Sequence, residues 1–322
     1  MKRAFYSRFG TPQDVLAVDE IERPQPGPGQ VLVRMVLSPV HNHDLMTIAG
    51  HYGFKPHLPA GAGTEAVGVV EGLGEGVSHL QVGQRVAGGA QDTWAEFYLA
   101  DGRRVVPVPD SVDDNTACQL VSMPLSAKML LDTLGLEAGQ WMVLNAANGA
   151  VGKLVAQYGA ALGIKVLGLV RRAEAVEEMS ALGFDNVVAT EGADWQDKVR
   201  VITGGGPILR GVESLGGDGA TQLLSILADG AELISFGAMT GRPLKIPAGD
   251  LLFRGITVKG FWGANPPVKP ERIGALLGEL IADAAAGRLK MDIAASYPIT
   301  EVAKAVAASD EPGRNGKIAI RG

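Results

Sequence analysis

From about Asn115 onward, short apolar runs of strand type alternate with runs of helical length, and this alternation constrains the fold more than any other feature. The pattern predicts a helix over Asn115–Leu134, a strand at Trp141–Asn145, a helix over Val151–Leu162 and a strand at Lys165–Val170. It continues with a helix at Ala173–Leu182, a short strand at Asn186–Ala189, a helix at Gly219–Leu227 and strands at Ala231–Phe236 and Thr257–Gly260. Strands separated by crossover helices form a parallel sheet covered on both faces. A long helix then runs from Pro270 to about Gly287, and Lys317–Ile320 reads as a last strand.

The first of these strands ends in Ala146-Ala147-Asn148-Gly149-Ala150-Val151-Gly152 and is followed at once by a helix. This is a G-x-G-x-x-G variant with Ala147 at the first glycine. Gly149 would let backbone approach a pyrophosphate and Gly152 would let helix and strand pack closely. The anion would rest on the free N–H groups of Asn148, Gly149, Ala150 and Val151 at the helix start. A plain glycine-rich turn would read the same without the flanking strand and helix, which are present here. The next strand ends in Val170-Arg171-Arg172, where a reader of unphosphorylated ribose would carry an acid. Guanidinium forks suit a phosphate instead, so Arg171 and Arg172 point to NADPH.

The first third differs. Runs such as Val31–Leu37 and the segment from Gly68 sit between Gly and Pro punctuation, and Pro24–Gly29 forbids helix or central strand. Short strands with glycine-rich turns predict a small, partly open barrel, and the last strand suits this domain better than the parallel sheet. Glycine numbers 44 of 322 residues without any collagen period, as expected where backbone approaches are close. The net charge of −6 and the lack of a basic block argue against nucleic acid as a partner. The longest uncharged stretch, Ala138–Gly152, is too short to cross a membrane. A single cysteine excludes an internal disulfide and fits a reducing compartment, with cytoplasm the expectation.

At this point the chain resembles the medium-chain dehydrogenase/reductase superfamily over essentially its whole length. The resemblance rests on the split small domain, the phosphate loop and Ser235-Phe236-Gly237-Ala238-Met239. It implies an α/β fold: a Rossmann doubly wound parallel sheet at 118–262, plus a GroES-like, partly open β-barrel domain from 1–117 and 263–322. Zinc alcohol dehydrogenases of the superfamily bind their catalytic metal through a Cys, a Gly-His-Glu and a second Cys. Here His41, Gly63-Thr64-Glu65 and Ser122 stand at the matching places, which implies a zinc-independent branch. Gly50-His51-Tyr52-Gly53-Phe54-Lys55-Pro56 is similar to the tyrosine loop of 2-enoyl thioester reductases, whose tyrosine is the proposed proton donor. Gly63-Thr64-Glu65-Ala66 is closer to quinone oxidoreductases. The resemblance to the enoyl branch also implies NADPH contacts from Phe236, Gly237, Ala238, Met239, Phe261, Trp262, Gly263 and Lys317. Met123 replaces the asparagine that precedes the proline in that branch.

Reducing a double bond conjugated to a thioester needs hydride at the β-carbon, donors for the charge on the carbonyl oxygen, and an acid for the α-carbon. A tyrosine with an ordinary pKa of ~10 stays protonated at neutral pH, so Tyr52 is the expected acid. The expected substrate is an acyl thioester or another small molecule. Quinone or enone reduction is the alternative within the same class, and a non-catalytic NADPH-binding protein is the alternative outside it. Relatives imply a homodimer joined by edge strands. On a strand, His41 and His43 would share a face in ligand-like spacing, but Thr64 and Ser122 replace the remaining ligands, so no metal is expected. Glu65 reads as a buried structural acid and Cys118 as an inert core thiol.

Overall fold

The computed structural model describes residues 1–311, 314 and 316–322. The chain divides into two units, Met1–Ser122 with Leu277–Gly322, and Met123–Leu276.

The first unit holds strands β1 (Lys2–Tyr6), β2 (Ala17–Glu20), β3 (Gln30–Pro39), β4 (Ala60–Gly61), β5 (Glu65–Leu73), β6 (Arg85–Gly89), β7 (Phe97–Asp101) and β8 (Val105–Pro107). The parallel strands of the second unit are β9 (Trp141–Leu144), β10 (Lys165–Val170), β11 (Val187–Ala189), β12 (Ile208–Glu213), β13 (Glu232–Ser235) and β14 (Thr257–Gly260). The chain then returns to the first unit with β15 (Ile293–Pro298) and β16 (Lys317–Arg321).

In the first unit, β15-β16-β3-β5-β6-β8 form one sheet with β7 paired to β3, and β2-β1-β4 form a second. Neither closes on itself, in keeping with a partly open barrel. Alternation explains the pairing: Val31, Val33 and Met35 of β3 are buried, and Tyr6, Trp94, Tyr98 and Ile320 join them in one core. Gly68 matters to this packing, because a Cβ there would lie 2.4 Å from the carbonyl oxygen of Arg34 on the neighbouring strand. The last strand does belong to this unit, antiparallel to β3 through Ala319 and Pro39.

The first third also contains helices that the strand-rich reading lacks, α1 (Pro12–Val15) and α2 (Asn42–Ile48). His41 and His43 therefore do not share a strand face. His41 is the N-cap residue of α2, and Asp44 reaches back so that its Oδ2 accepts from the His41 N–H at 2.9 Å, while His41 Nδ1 is buried without a partner and His43 lies inside the first turn. Only this returning half of a capping box is made, and with histidine in the usual Ser/Thr place the sequence carries no ordinary N-cap signal.

The predicted helix over Asn115–Leu134 is two helices, α3 (Asp114–Ala117) and α4 (Ser122–Leu134). Asp113 caps α3 by accepting from Thr116 N–H, and the chain bends through Cys118–Val121. In the second unit the sheet order is β11-β10-β9-β12-β13-β14, the doubly wound arrangement with its reversal between β9 and β12. The crossovers include α5 (Ala150–Ala161), α6 (Ala173–Ala181), α7 (Trp195–Thr203) and α8 (Asp218–Leu224). Val143, Leu167, Leu223 and Leu233 are fully buried between the layers. Helix α9 (Ala248–Leu252) precedes β14, while α10 (Pro270–Ala285) and α11 (Val302–Asp310) complete the chain.

Candidate functional site

In the second unit the residues expected to hold a cofactor follow the carboxyl ends of parallel strands, and this placement is a property of the topology. Asn148–Gly152 follow β9, Arg171 and Arg172 follow β10, Phe236–Met239 follow β13, and Phe261–Gly263 follow β14. Ligands of such sheets sit outside these strand ends near the reversal. Gly149 caps α5 without a side chain, and its own N–H, expected free, goes to the Ala146 carbonyl at 2.9 Å, so the N–H groups left for an external acceptor in the first turn are those of Ala150 and Val151. Gly152 is the close-packing glycine: a Cβ there would lie 2.4 Å from the Ala147 carbonyl oxygen. Ala147, at the first-glycine place, is buried, and Ala146 beside it takes up a positive φ of 51° to make the tight turn. Arg171 and Arg172 are both exposed, and among the described residues neither guanidinium has a hydrogen-bond or ionic partner. These features fit a pyrophosphate on the α5 terminus and a further phosphate beside the arginines.

The loops are stitched together by groups that the sequence reading missed. Glu213, at the end of β12, is fully buried, and its Oε1 accepts from Asn145 Nδ2 at 3.0 Å and from the N–H groups of Leu215 and Gly216, both at 2.8 Å. Asn145 Oδ1 accepts from Ser214 N–H at 2.8 Å, so one amide and one carboxylate fasten the two strands flanking the reversal. The Glu213 carbonyl accepts from Phe236 N–H at 2.7 Å, and Ser214 O accepts from Met239 N–H at 3.1 Å. Phe236 and Phe261 stack with centroids 5.7 Å apart, and Phe261 is buried while Trp262 is 42% exposed. An acid before Gly216-Gly217 at the end of a run was the available signal. It was obscured because Arg210 and Gly211 interrupt the apolar pattern of β12; Arg210 lies half-buried and donates to the Leu134 carbonyl at 2.9 Å.

The first unit contains a different construction, made of side chains rather than strand ends. Gly50, with φ of 77°, ends α2, and the His51 and Tyr52 N–H groups bond the Met46 carbonyl at 2.8 and 3.2 Å. Tyr52 is thereby held half-buried with its ring 5.8 Å from that of His43. His43 Nε2 meets Thr64 Oγ1 at 2.6 Å, and the Thr64 hydroxyl donates to Asp44 Oδ1 at 2.6 Å. His41 stacks on His43 with centroids 4.8 Å apart, and its Nε2 meets Glu65 Oε2 at 2.7 Å. Glu65 Oε1 accepts from the N–H groups of Val121 and Ser122 at 2.6 and 2.8 Å, so Glu65 is the buried structural acid expected.

Burial raises the Glu65 pKa to about 7, against the opposing pull of those two backbone donors. Burial, with Lys317 and His43 nearby, lowers that of His41, so its imidazole is neutral. Burial likewise lowers the Lys317 pKa, opposed by the carboxylates of Asp44 and Glu65. Lys317 therefore belongs to this first-unit cluster, whereas the other expected cofactor residues all lie in the second unit. Cys118 is fully buried and its thiol pKa is pushed up by burial, which makes it unreactive.

The comparisons with known proteins follow this division. Residues 27–110 match the family described as "Alcohol dehydrogenase GroES-like domain" and residues 150–281 match "Zinc-binding dehydrogenase". The mitochondrial enoyl-[acyl-carrier-protein] reductase of Dictyostelium discoideum is 31% identical over 240 residues, covering 72% of this chain and 69% of that protein. A Caenorhabditis elegans protein of the same name is 29% identical over 316 residues, covering 95% and 90% respectively. A solved Bacillus thuringiensis structure, assigned by inference as an NADPH:quinone reductase, superposes with a TM-score of 0.90 at 30% identity, covering 100% of this chain and 98% of that one.

The chain belongs to the medium-chain dehydrogenase/reductase superfamily. As a member it is an oxidoreductase with a Rossmann-type domain and a GroES-like domain. The zinc implied by one family name does not fit the donors present. Thr64 is a neutral hydroxyl already shared by His43 and Asp44, and His41 Nε2 is engaged by Glu65. Among the described residues no group of three or more His, Cys, Asp or Glu could hold a metal ion, and no helix is long and apolar enough to cross a membrane.

Proposed function

We propose that this superfamily member is an NADPH-dependent reductase of activated carbon–carbon double bonds, with a 2-enoyl thioester as substrate and Tyr52 as the acid. The observation that carries the cofactor is the unpartnered pair Arg171 and Arg172 at the end of β10, beside a phosphate loop that leaves the Ala150 and Val151 N–H groups of the first α5 turn free. The enoyl thioester is favoured because relatives aligned over almost the whole chain are named enoyl reductases.

NADPH, when bound, supplies hydride to the substrate β-carbon. The chain's own residues do the rest. Asn148, Gly149, Ala150, Val151 and Gly152 would hold the pyrophosphate, and Arg171 with Arg172 the 2′-phosphate. Phe236, Gly237, Ala238 and Met239, together with Phe261, Trp262 and Gly263, would border the nicotinamide end, with Phe236 fixed by its stack on Phe261. Lys317, in the first unit, is the remaining proposed cofactor contact. Tyr52 gives its phenolic proton to the α-carbon as negative charge leaves the thioester oxygen.

Quinone or enone reduction is the second reading, supported by the name given to the Bacillus thuringiensis structure. A homodimer is proposed through β14, which pairs only with β13 among the described strands and lies beside the exposed Leu252 and Phe253. A reducing compartment suits the single thiol; cytoplasm is the sequence reading, while the curated relatives carry the word mitochondrial in their names. An NADPH-oxidation assay with crotonyl thioester beside a 1,4-quinone decides the substrate. Faster turnover of the thioester is expected; turnover of the quinone alone would overturn the choice.

A further inference from the structure

We infer that His43 resupplies Tyr52 with the proton it gives away, held for that task by Thr64 and Asp44. This rests on the reading of Tyr52 as the acid. Hydrogen-bond polarity carries the argument. Thr64 has one hydroxyl hydrogen, and it goes to Asp44 Oδ1 at 2.6 Å, because a carboxylate only accepts. Thr64 Oγ1 must therefore accept from His43 Nε2 at 2.6 Å, so Nε2 carries a hydrogen. Asp44 cannot turn away, since its Oδ2 is engaged by the His41 N–H at 2.9 Å. The imidazole is thus fixed in one tautomer, and Nδ1 is the nitrogen left to exchange a proton.

Three further features fit that role. The His43 and Tyr52 ring centroids are 5.8 Å apart, and the His43 side chain is 19% exposed, so it lies beside the tyrosine ring and reaches solvent. Asp44 Oδ1 is 3.6 Å from His43 Nε2, so the same carboxylate that holds Thr64 also faces the imidazole directly. Among the described residues, His41 stacks on the ring from the α2 cap, Glu65 of β5 lies within electrostatic reach of His43, and Lys317 of β16 acts on His41 and Glu65. His41 is neutral and adds little repulsion.

The proton balance closes. Tyr52 Oη–H breaks as the α-carbon–hydrogen bond forms, leaving a phenolate. His43 Nδ1–H then breaks as Oη–H reforms, leaving neutral imidazole with Nε2–H still on Thr64. Water returns a proton to Nδ1, so no redox partner is needed.

The test compares His43→Gln, Thr64→Val and Thr64→Ser with Tyr52→Phe in the intact enzyme, with thermal melting as a check on folding. His43→Gln and Thr64→Val should slow steady-state turnover about tenfold. They should also enlarge the solvent isotope effect and change the pH profile, while leaving NADPH binding and the first-turnover rate unchanged. Thr64→Ser should restore the native profile, and added imidazole should rescue His43→Gln. If Tyr52→Phe is slow but both His43→Gln and Thr64→Val keep native turnover and isotope effect, the supply role is wrong and the acid reading stands. If Tyr52→Phe is itself fully active, the acid reading fails first. Should His43→Gln melt early, the contrast between Thr64→Val and Thr64→Ser decides the matter, and equal behaviour of those two overturns the inference.

Discussion

The phosphate-loop region and the Tyr52 cluster are built by opposite means. In the second unit each proposed contact is a consequence of backbone topology, since it follows the carboxyl end of a parallel strand. Its side chains are few, and its fastenings are glycine contacts and N–H groups such as those Glu213 gathers. In the first unit the site is built by side chains from several elements, with Glu65 and Lys317 at the first positions of β5 and β16. There α2, the β4–β5 junction and β16 bring together His43, Thr64, Asp44, Glu65 and Lys317, and side-chain hydrogen bonds do the positioning. Topology makes a place for a cofactor, whereas a side-chain network sets protonation state. Binding and proton transfer should therefore respond to different substitutions.

Tyr52→Phe should divide the two most sharply. It is expected to lower turnover with an enoyl thioester by about 100-fold, as loss of a general acid does, while calorimetry finds NADPH affinity unchanged. Replacing Arg171 and Arg172 together with alanine should do the reverse. Loss of two charge-assisted phosphate contacts should weaken NADPH by roughly 30-fold and leave NADH binding as it was, read by the same calorimetry. Gly152→Ala would force a Cβ to 2.4 Å from the Ala147 carbonyl oxygen, so the helix must shift. Denaturant titration should show a loss of about 1–3 kcal/mol, with weaker NADPH binding.

The smallest effect expected concerns Glu65 and pH. Its folded pKa is raised from 4.5 to about 7, so between those values the folded state binds more protons than the unfolded one. The contribution of Glu65 to stability is thus greatest below pH 4.5 and is lost as pH rises toward 7. His41 has the opposite trend, because its lowered pKa makes the folded state bind fewer protons below its ordinary pKa of 6.5. Melting of Glu65→Gln relative to the native protein should therefore improve progressively across the Glu65 window, by on the order of 1 kcal/mol at its upper end.

How far the sequence disclosed each region follows from the same contrast. The strands at Lys165–Val170 and Thr257–Gly260 stand as predicted, because buried parallel strands are near-continuous apolar runs. The β12 strand was invisible because Arg210 breaks its run, and only the Leu134 carbonyl, 76 positions away, explains why a guanidinium is tolerated there. Helix α7 escaped because most of its surface is polar and exposed, with Val199 its buried residue. In the first unit the sequence offered His41, His43, Asp44, Thr64 and Glu65 as separate letters. Their coupling spans about twenty positions and depends on α2 replacing an expected strand, and that helix start is marked only by Asp44 reaching back to the His41 N–H.

The central claim is that an enoyl thioester receives its two hydrogens from two different sources, one from the cofactor and one through Tyr52. Product analysis after turnover with NADPH deuterated at its transferable position, and separately in deuterated water, tests this most directly. The account predicts cofactor deuterium on the β-carbon alone and solvent deuterium on the α-carbon alone. Solvent label at both carbons, or no reduced thioester at all while a quinone is consumed, would contradict it.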